Sequence, residues 1–194
     1  MKNHKDIFEV IFFARGGQGA KTTAEILAQA GTYEGKFVQA FPSFGPERSG
    51  APTKTYLRIS ENEIRTHEPV VDPDLVVVLD DTLLNSQEVA FNLDKDEFLI
   101  INTKMAEHEV REKLIQKGGK FEGKIHPIDA SGISLSIIGQ PRPNTVILGK
   151  FVQVSGVVKM ESMIEEFRRI FEKKLGKENC DKNIQAIEKA YDAI

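Results

Sequence analysis

Gly16, Gly17, Gln18, Gly19, Lys21 and Thr22, within ARGGQGAKTT, are the residues whose types and spacing best suit chemistry. They separate an apolar run, 7–14, from a stretch in which Ala20, Ala24, Leu27, Ala28 and Gly31 recur on one helical face. Glycines at a strand-to-helix junction let the backbone turn tightly and approach a ligand. The free N–H groups of the first helical turn then form an anion site, to which Lys21 and Thr22 would add a charge and a hydroxyl. Two nucleotide motifs nearly match and fail. The phosphate loop G-x-x-x-x-G-K-[ST] needs its lysine directly after the glycine, but Ala20 intervenes between Gly19 and Lys21. The dinucleotide fingerprint needs glycine where Ala14 stands and an acid at the end of the second strand, which reads FVQAFP. On residues alone, an anion site and a plain tight turn both stay open.

A second constellation, AFPSFGPERSGAP (40–52), follows the next strand. Pro42, Pro46 and Pro52 restrict its backbone, and it carries Phe41, Phe44, Glu47 and Arg48. In a parallel sheet it leaves the same carboxyl edge as the glycine loop, as a ligand wall or subunit contact would. Taken singly, the phenylalanines also fit as covers of the core, and Glu47 and Arg48 as solvated charges. Asp80 and Asp81 end a further strand. Asp81 is expected to cap the next segment, and Asp80 has no evident companions for a metal. His4, His67, His108 and His126 lack metal spacing. No Ser/His/Asp, Cys/His or paired-carboxylate set is recognisable, so no catalytic and no metal-binding residue is expected.

The elements that must position these loops follow from hydrophobic pattern. IFEVIFFA (7–14), FVQAF (37–41), DLVVVLD (74–80) and EFLII (97–101) read as strands buried on both faces, with KIHPID (124–129) weaker. Helical spacing recurs in 20–31, 82–93 and 106–118. The alternation predicts an α/β fold, doubly wound around a mostly parallel sheet. TKTYLRIS (53–60) alternates apolar and polar residues and predicts an inserted, half-exposed antiparallel hairpin that returns through 64–66. GQPRP (139–143) reads as a loop, and Asn144 as the cap of a buried helix over 145–156. From Glu161 the pattern is helical and charged, with Glu165 and Arg169 as an i, i+4 pair and Gly176 between two helices. The 194 residues fit one domain, with a C-terminal helical extension from about 160 to 194. A net charge of −3 gives no general attraction to nucleic acid or to an anionic membrane. The single cysteine, Cys180, fits a reducing, cytoplasmic setting and cannot alone carry an iron–sulfur cluster. No run is long enough to span a membrane.

GGQGAKTTAEILAQAG, KFVQAFPSFGPERSGAPTKTYLRIS and PDLVVVLDD, in this order and spacing, resemble the gamma subunit of 2-oxoacid:ferredoxin oxidoreductases, the pyruvate:ferredoxin oxidoreductase family. The resemblance covers about residues 7–156. The family's first loop often begins with glycine where Ala14 stands, and the charged C-terminal region matches loosely. The resemblance implies a non-catalytic subunit of a complex that converts a 2-oxoacid and coenzyme A to acyl-CoA, carbon dioxide and reduced ferredoxin. Thiamine diphosphate, magnesium and iron–sulfur clusters would belong to thiamine-binding and ferredoxin-like partner subunits, with ferredoxin as acceptor. This chain would help to hold coenzyme A through Gly16, Gly17, Gln18, Gly19, Lys21 and Thr22, with Phe44, Glu47 and Arg48 facing the partner active site. Pyruvate is the family's preference. The rival is a stand-alone nucleotide-binding or regulatory α/β module.

Overall fold

A computed structural model describes residues 6–43, 50–90, 92–116 and 121–193. Phe44, Glu47 and Arg48 therefore lie outside the described residues. Six strands form one mixed sheet in the order β2-β3-β1-β4-β5-β6. They are β1 (Ile7–Arg15), β2 (Phe37–Pro42), β3 (Pro52–Ser60), β4 (Leu75–Val78), β5 (Phe98–Asn102) and β6 (Lys124–Ile128). β1, β4, β5 and β6 run parallel, and β3 pairs antiparallel with both β1 and β2. The helices are α1 (Ala20–Tyr33), α2 (Glu107–Gln116), α3 (Ala130–Ile138), α4 (Pro143–Ser155), α5 (Met160–Leu175) and α6 (Lys177–Asp192).

Strand alternation sends side chains to opposite faces and so builds two cores. Val10, Phe12 and Ala14 face the layer made by α1 and α3–α6. Ile11, Phe13, Val76 and Val78 face a thinner cover that includes Leu83, Val110 and Leu114. All five residues expected on the inner face of α1, from Ala20 to Gly31, are buried there. In α4, Gly149 is required by packing, since a Cβ at that position would lie 1.9 Å from the Ile187 carbonyl oxygen of α6.

The antiparallel piece is present, but its partners differ from the expected return through 64–66. β3 enters the sheet between β1 and β2, and no strand forms over 61–74. Of the face expected to be polar and half exposed, Lys54 is half-buried but Tyr56 and Arg58 are buried. Arg58 is 2% exposed. Its Nε donates to Glu9 Oε1 at 2.8 Å, and its Nη2 to the Glu68 carbonyl at 2.7 Å, so residues after β3 cover this face. A buried guanidinium is tolerable only with such partners.

Four local expectations also change. Among the described residues of 82–93, the one helical element is a 3-10 turn, Asp81–Asn85. Asp80 rather than Asp81 caps it, accepting from the Thr82 N–H. Leu83, Leu84, Val89 and Leu93 nevertheless reach the thin core, so apolar spacing is satisfied without a helix. α4 begins at Pro143 after Arg142, not at an Asn144 cap, because proline fits the first helical position. Arg169 pairs with Glu166 through two 2.7 Å bonds instead of with Glu165, since Glu166 is the fully buried carboxylate and requires a partner. α3 is an element for which the sequence pattern carries no expectation.

Candidate functional site at the carboxyl edge of the sheet

The glycine loop leaves β1 at the edge where open α/β sheets bind ligands. Gly17 and Gly19 have φ of 93° and 83°, which L side chains rarely adopt. Gly19 precedes α1 directly, no side chain caps that helix, and its first turn contains no acid. The amides and the helix dipole are thus left for an anion.

The loop is a wall between two clefts. The larger, about 950 Å³, is lined by Gln18, Thr22, Asp80, Asp81, Asn102 and Ser131 at the strand ends, by residues 140–145, and by Phe167 and Phe171 of α5. The other, about 500 Å³, is lined by Arg15, Gly16, Lys21, Pro42, Ser43 and Lys54 among others. Gly17 and Gly19 border both. The structure therefore brings Gly16, Gly17, Gln18, Gly19, Lys21 and Thr22 together around one turn, but divides Lys21 from Gln18 and Thr22.

Polar side chains pin the large cleft. Asn102, the last residue of β5, donates to the Leu79 carbonyl at 2.9 Å and to Ser131 Oγ at 3.0 Å. Thr103 donates to Asp81 at 2.7 Å. Gln18 donates to Asp80 at 2.8 Å and accepts from the Arg15 N–H at 2.7 Å. Burial pulls the Asp80 carboxyl upward, but hydrogen bonds from the Thr82 side chain, Gln18 and the Thr82 N–H, with the Arg15 charge, hold it below its ordinary value. The residues around the large cleft are thus a carboxylate pair and neutral amides, with Arg142 as a cation at its rim that bonds Gln140.

The second cleft is basic. Its described lining contains Arg15, Lys21 and Lys54 and no carboxylate. Lys54 Nζ stands 5.0 Å from the centre of the Phe13 ring. Glu25 reaches Lys21 at 3.7 Å, but these side chains are 50% and 66% exposed, so the pair constrains the lysine little. Arg15, Lys54, Asp80 as a fixed anion, Asn102 and Asn144 were not singled out as ligand-site residues by sequence. The available signal is their place at strand ends or helix starts along one edge. No group of His, Cys, Asp and Glu suited to a metal occurs among the described residues, and none of their helices is long and apolar enough to cross a membrane.

The sequence profile described as "Pyruvate ferredoxin/flavodoxin oxidoreductase" matches residues 9–193, so the relationship extends through α5 and α6, beyond the segment up to 156 that carries the motifs. A Thermococcus kodakarensis protein, "Pyruvate/ketoisovalerate oxidoreductases common subunit gamma", is 44% identical over 95% of this chain and 96% of its own length. The crystal structure of pyruvate oxidoreductase subunit PORC from Thermotoga maritima superposes with a TM-score of 0.84 at 38% identity, covering 96% of each chain. At 17% identity, a 2-oxoglutarate:ferredoxin oxidoreductase from Magnetococcus marinus, with 2-oxoglutarate, coenzyme A and succinyl-CoA bound, shares the fold alone. It has a TM-score of 0.78, and the match covers 96% of this chain and 31% of that one. A glycine loop and an inserted antiparallel strand framed by these relatives over nearly the whole length lead to one conclusion: the chain belongs to the pyruvate ferredoxin/flavodoxin oxidoreductase family and corresponds to its gamma subunit.

Proposed function

We propose that this gamma subunit completes a coenzyme A site in an oxidoreductase acting on pyruvate or a related 2-oxoacid, and that the phosphates of coenzyme A lie in the basic cleft. The observation that carries this reading is the separation of charge by the glycine loop. Lys21 and Lys54 stand on one side, while Asp80 and Asp81 stand on the other, where Asp80 already pairs with Arg15 at 3.2 Å. A polyphosphate is stabilised near cations and an uncapped helix start, and is repelled by a fixed carboxylate pair. Ser43, the last described residue before 44, lines this cleft, and Phe44, Glu47 and Arg48 are kept in this proposal as its partner-facing wall. Thiamine diphosphate, magnesium and iron–sulfur clusters are assigned to thiamine-binding and ferredoxin-like partner subunits, and ferredoxin is the acceptor of the complex. Names of the relatives, which specify pyruvate and ketoisovalerate, make these two oxoacids the first to test. The complex is placed in the cytoplasm.

The test is reconstitution of the complex with and without this chain, following reduction of an electron acceptor while coenzyme A is titrated against each oxoacid. The expected result is acyl-CoA formation that depends on this chain, alongside oxoacid decarboxylation that persists without coenzyme A. Acyl-CoA formation with an unchanged coenzyme A requirement when the chain is omitted would overturn the proposal.

A further inference from the structure

One side chain ties together the three segments that meet at the carboxyl edge. Arg15 ends β1 on the strand face that carries Ile11 and Phe13, and its side chain is 31% exposed. Its Nη1 donates to the Gly50 carbonyl at 3.1 Å, and its Nη2 to Thr82 Oγ1 at 2.6 Å. Its Nε lies 3.2 Å from Asp80 Oδ2. Asp80 in turn accepts from the Thr82 N–H at 3.1 Å, from the Thr82 hydroxyl and from Gln18 Nε2. Backbone bonds join the same segments: Gly16 N–H to the Ala51 carbonyl at 2.8 Å, and Gly50 N–H to the Gly16 carbonyl at 3.2 Å. The glycine loop, the residues re-entering β3 and the turn after β4 therefore converge on one guanidinium.

We propose that Arg15 is a positioning residue for the coenzyme A step. Its planar fork of three nitrogens serves a carbonyl, a hydroxyl and a carboxylate in a fixed geometry that the single nitrogen of a lysine does not reproduce. By fixing Gly50 against Gly16, it sets the width of the basic cleft and so the spacing between the α1 amides, Lys21 and Lys54. Asp80 completes the device. It neutralises Arg15, orients Gln18 across the loop and leaves Lys21 as the charge free to meet a ligand.

The fold itself does not depend on this cluster. Arg15 and Asp80 side chains are 31% and 17% exposed, and their partners are loop groups. β1 is already held by full registers with β3 and β4. Loss of the cluster should loosen the loops locally while global unfolding changes little. The inference rests on the coenzyme A reading above, and its test separates the two.

Amide hydrogen exchange on the full chain is to be compared with coenzyme A kinetics in the reconstituted complex, for Arg15→Gln, Arg15→Lys and, in parallel, Lys21→Ala. Arg15→Gln should accelerate exchange at Gly16, Gln18 and Gly50, and raise KM for coenzyme A about tenfold, with kcat and the oxoacid KM within about twofold. Arg15→Lys should fall between. Lys21→Ala should raise the same KM without altering exchange. Unchanged exchange in Arg15→Gln overturns the proposed role. So does faster exchange with an unchanged KM while Lys21→Ala raises it, and in that case the coenzyme A site stands. If neither variant moves the KM, the coenzyme A reading falls and takes this role with it.

Discussion

The two clefts share a wall of five residues or fewer in sequence, yet they are built from different parts of the fold and present opposite electrostatics. The large cleft is framed by the ends of parallel strands and by helix starts: Asp80 after β4, Asn102 at the end of β5, Ser131 in α3 and Asn144 in α4. Its polar groups bond one another, so its charge is fixed before any ligand arrives. The basic cleft is framed by the antiparallel insertion, and Lys21 and Lys54 project into it from α1 and β3. Its lysines retain unspent donors. A mostly parallel sheet supplies the pre-arranged frame, and α1 and the inserted strand each supply one adaptable cation.

Gly19 is where this division is most easily broken. Any Cβ there meets Asn144 Nδ2 at 2.7 Å, in addition to the cost of holding φ at 83°. At Gly17, φ is equally unfavourable at 93°, but nothing lies within 4 Å of an added Cβ. Gly19→Ala should therefore destabilise the chain by about 2 kcal/mol, from strain and overpacking together. Gly17→Ala should cost about 1 kcal/mol, from strain alone. Urea unfolding of the purified chain measures both. Equal losses would mean that the contact between the loop and α4 adds nothing, and the two clefts would not be separated by a packed wall.

The charge comparison is sharpened by exchanging which cation is removed. In the reconstituted complex, Lys21→Ala should raise KM for coenzyme A about tenfold, equivalent to roughly 1.4 kcal/mol. Arg142→Ala, at the rim of the large cleft, should change it by less than about twofold. Arg142 is an informative control because its side chain bonds Gln140 in its own loop, while its bond to the buried Ser134 is made by the backbone N–H and survives truncation. The opposite ranking would place the phosphates in the large cleft despite Asp80 and Asp81.

The glycine loop, the helix face of α1 and strands β1, β4 and β5 were legible because each depends on local pattern: small residues at a turn, apolar spacing of 3.6, and continuous runs of Val, Ile and Leu, whereas FVQAF, read as buried on both faces, is the half-buried edge strand β2, paired antiparallel with β3. The partners of β3 were not legible. Lys54, Tyr56 and Arg58 look like a solvent-facing row in sequence, but Arg58 is buried by Glu9, Gln39 and the Glu68 carbonyl, the first of which lies 49 positions away. Residues 82–93 show a related failure. Their apolar spacing fits a helix, but Asp80 closes a tight turn by bonding Thr82; Leu83 and Leu84 reach the thin core from that 3-10 turn and Leu93 from irregular backbone. The six loop residues recognised by sequence do gather at one edge, whereas Arg15 was hidden beside them. Its importance comes from Gly50, Asp80 and Thr82, which only the fold brings near. Family resemblance reached the biochemical role sooner than any of these local rules, because it rested on three motifs in a fixed order.

The smallest expected effect concerns the charge of the wall itself. Asp80 is held below its ordinary pKa, so the folded chain binds its proton less readily than the unfolded chain does. That stabilisation is fully present above the unfolded value and is lost as pH falls through the lowered folded value. Asp80→Asn removes the titration while keeping a side-chain oxygen that can accept from Thr82. The stability difference between the wild-type chain and Asp80→Asn should therefore be constant from pH 7 to about pH 5 and narrow below about pH 4. Glu34, which is also held low through Lys159, Ser162 and Lys36, titrates identically in both proteins and cancels from the difference. Urea midpoints measured down to pH 3 read this directly. A gap that stays constant to pH 3 would show that Asp80 contributes to the wall through shape and hydrogen bonding rather than charge. The electrostatic contrast between the clefts would then rest on the lysines alone.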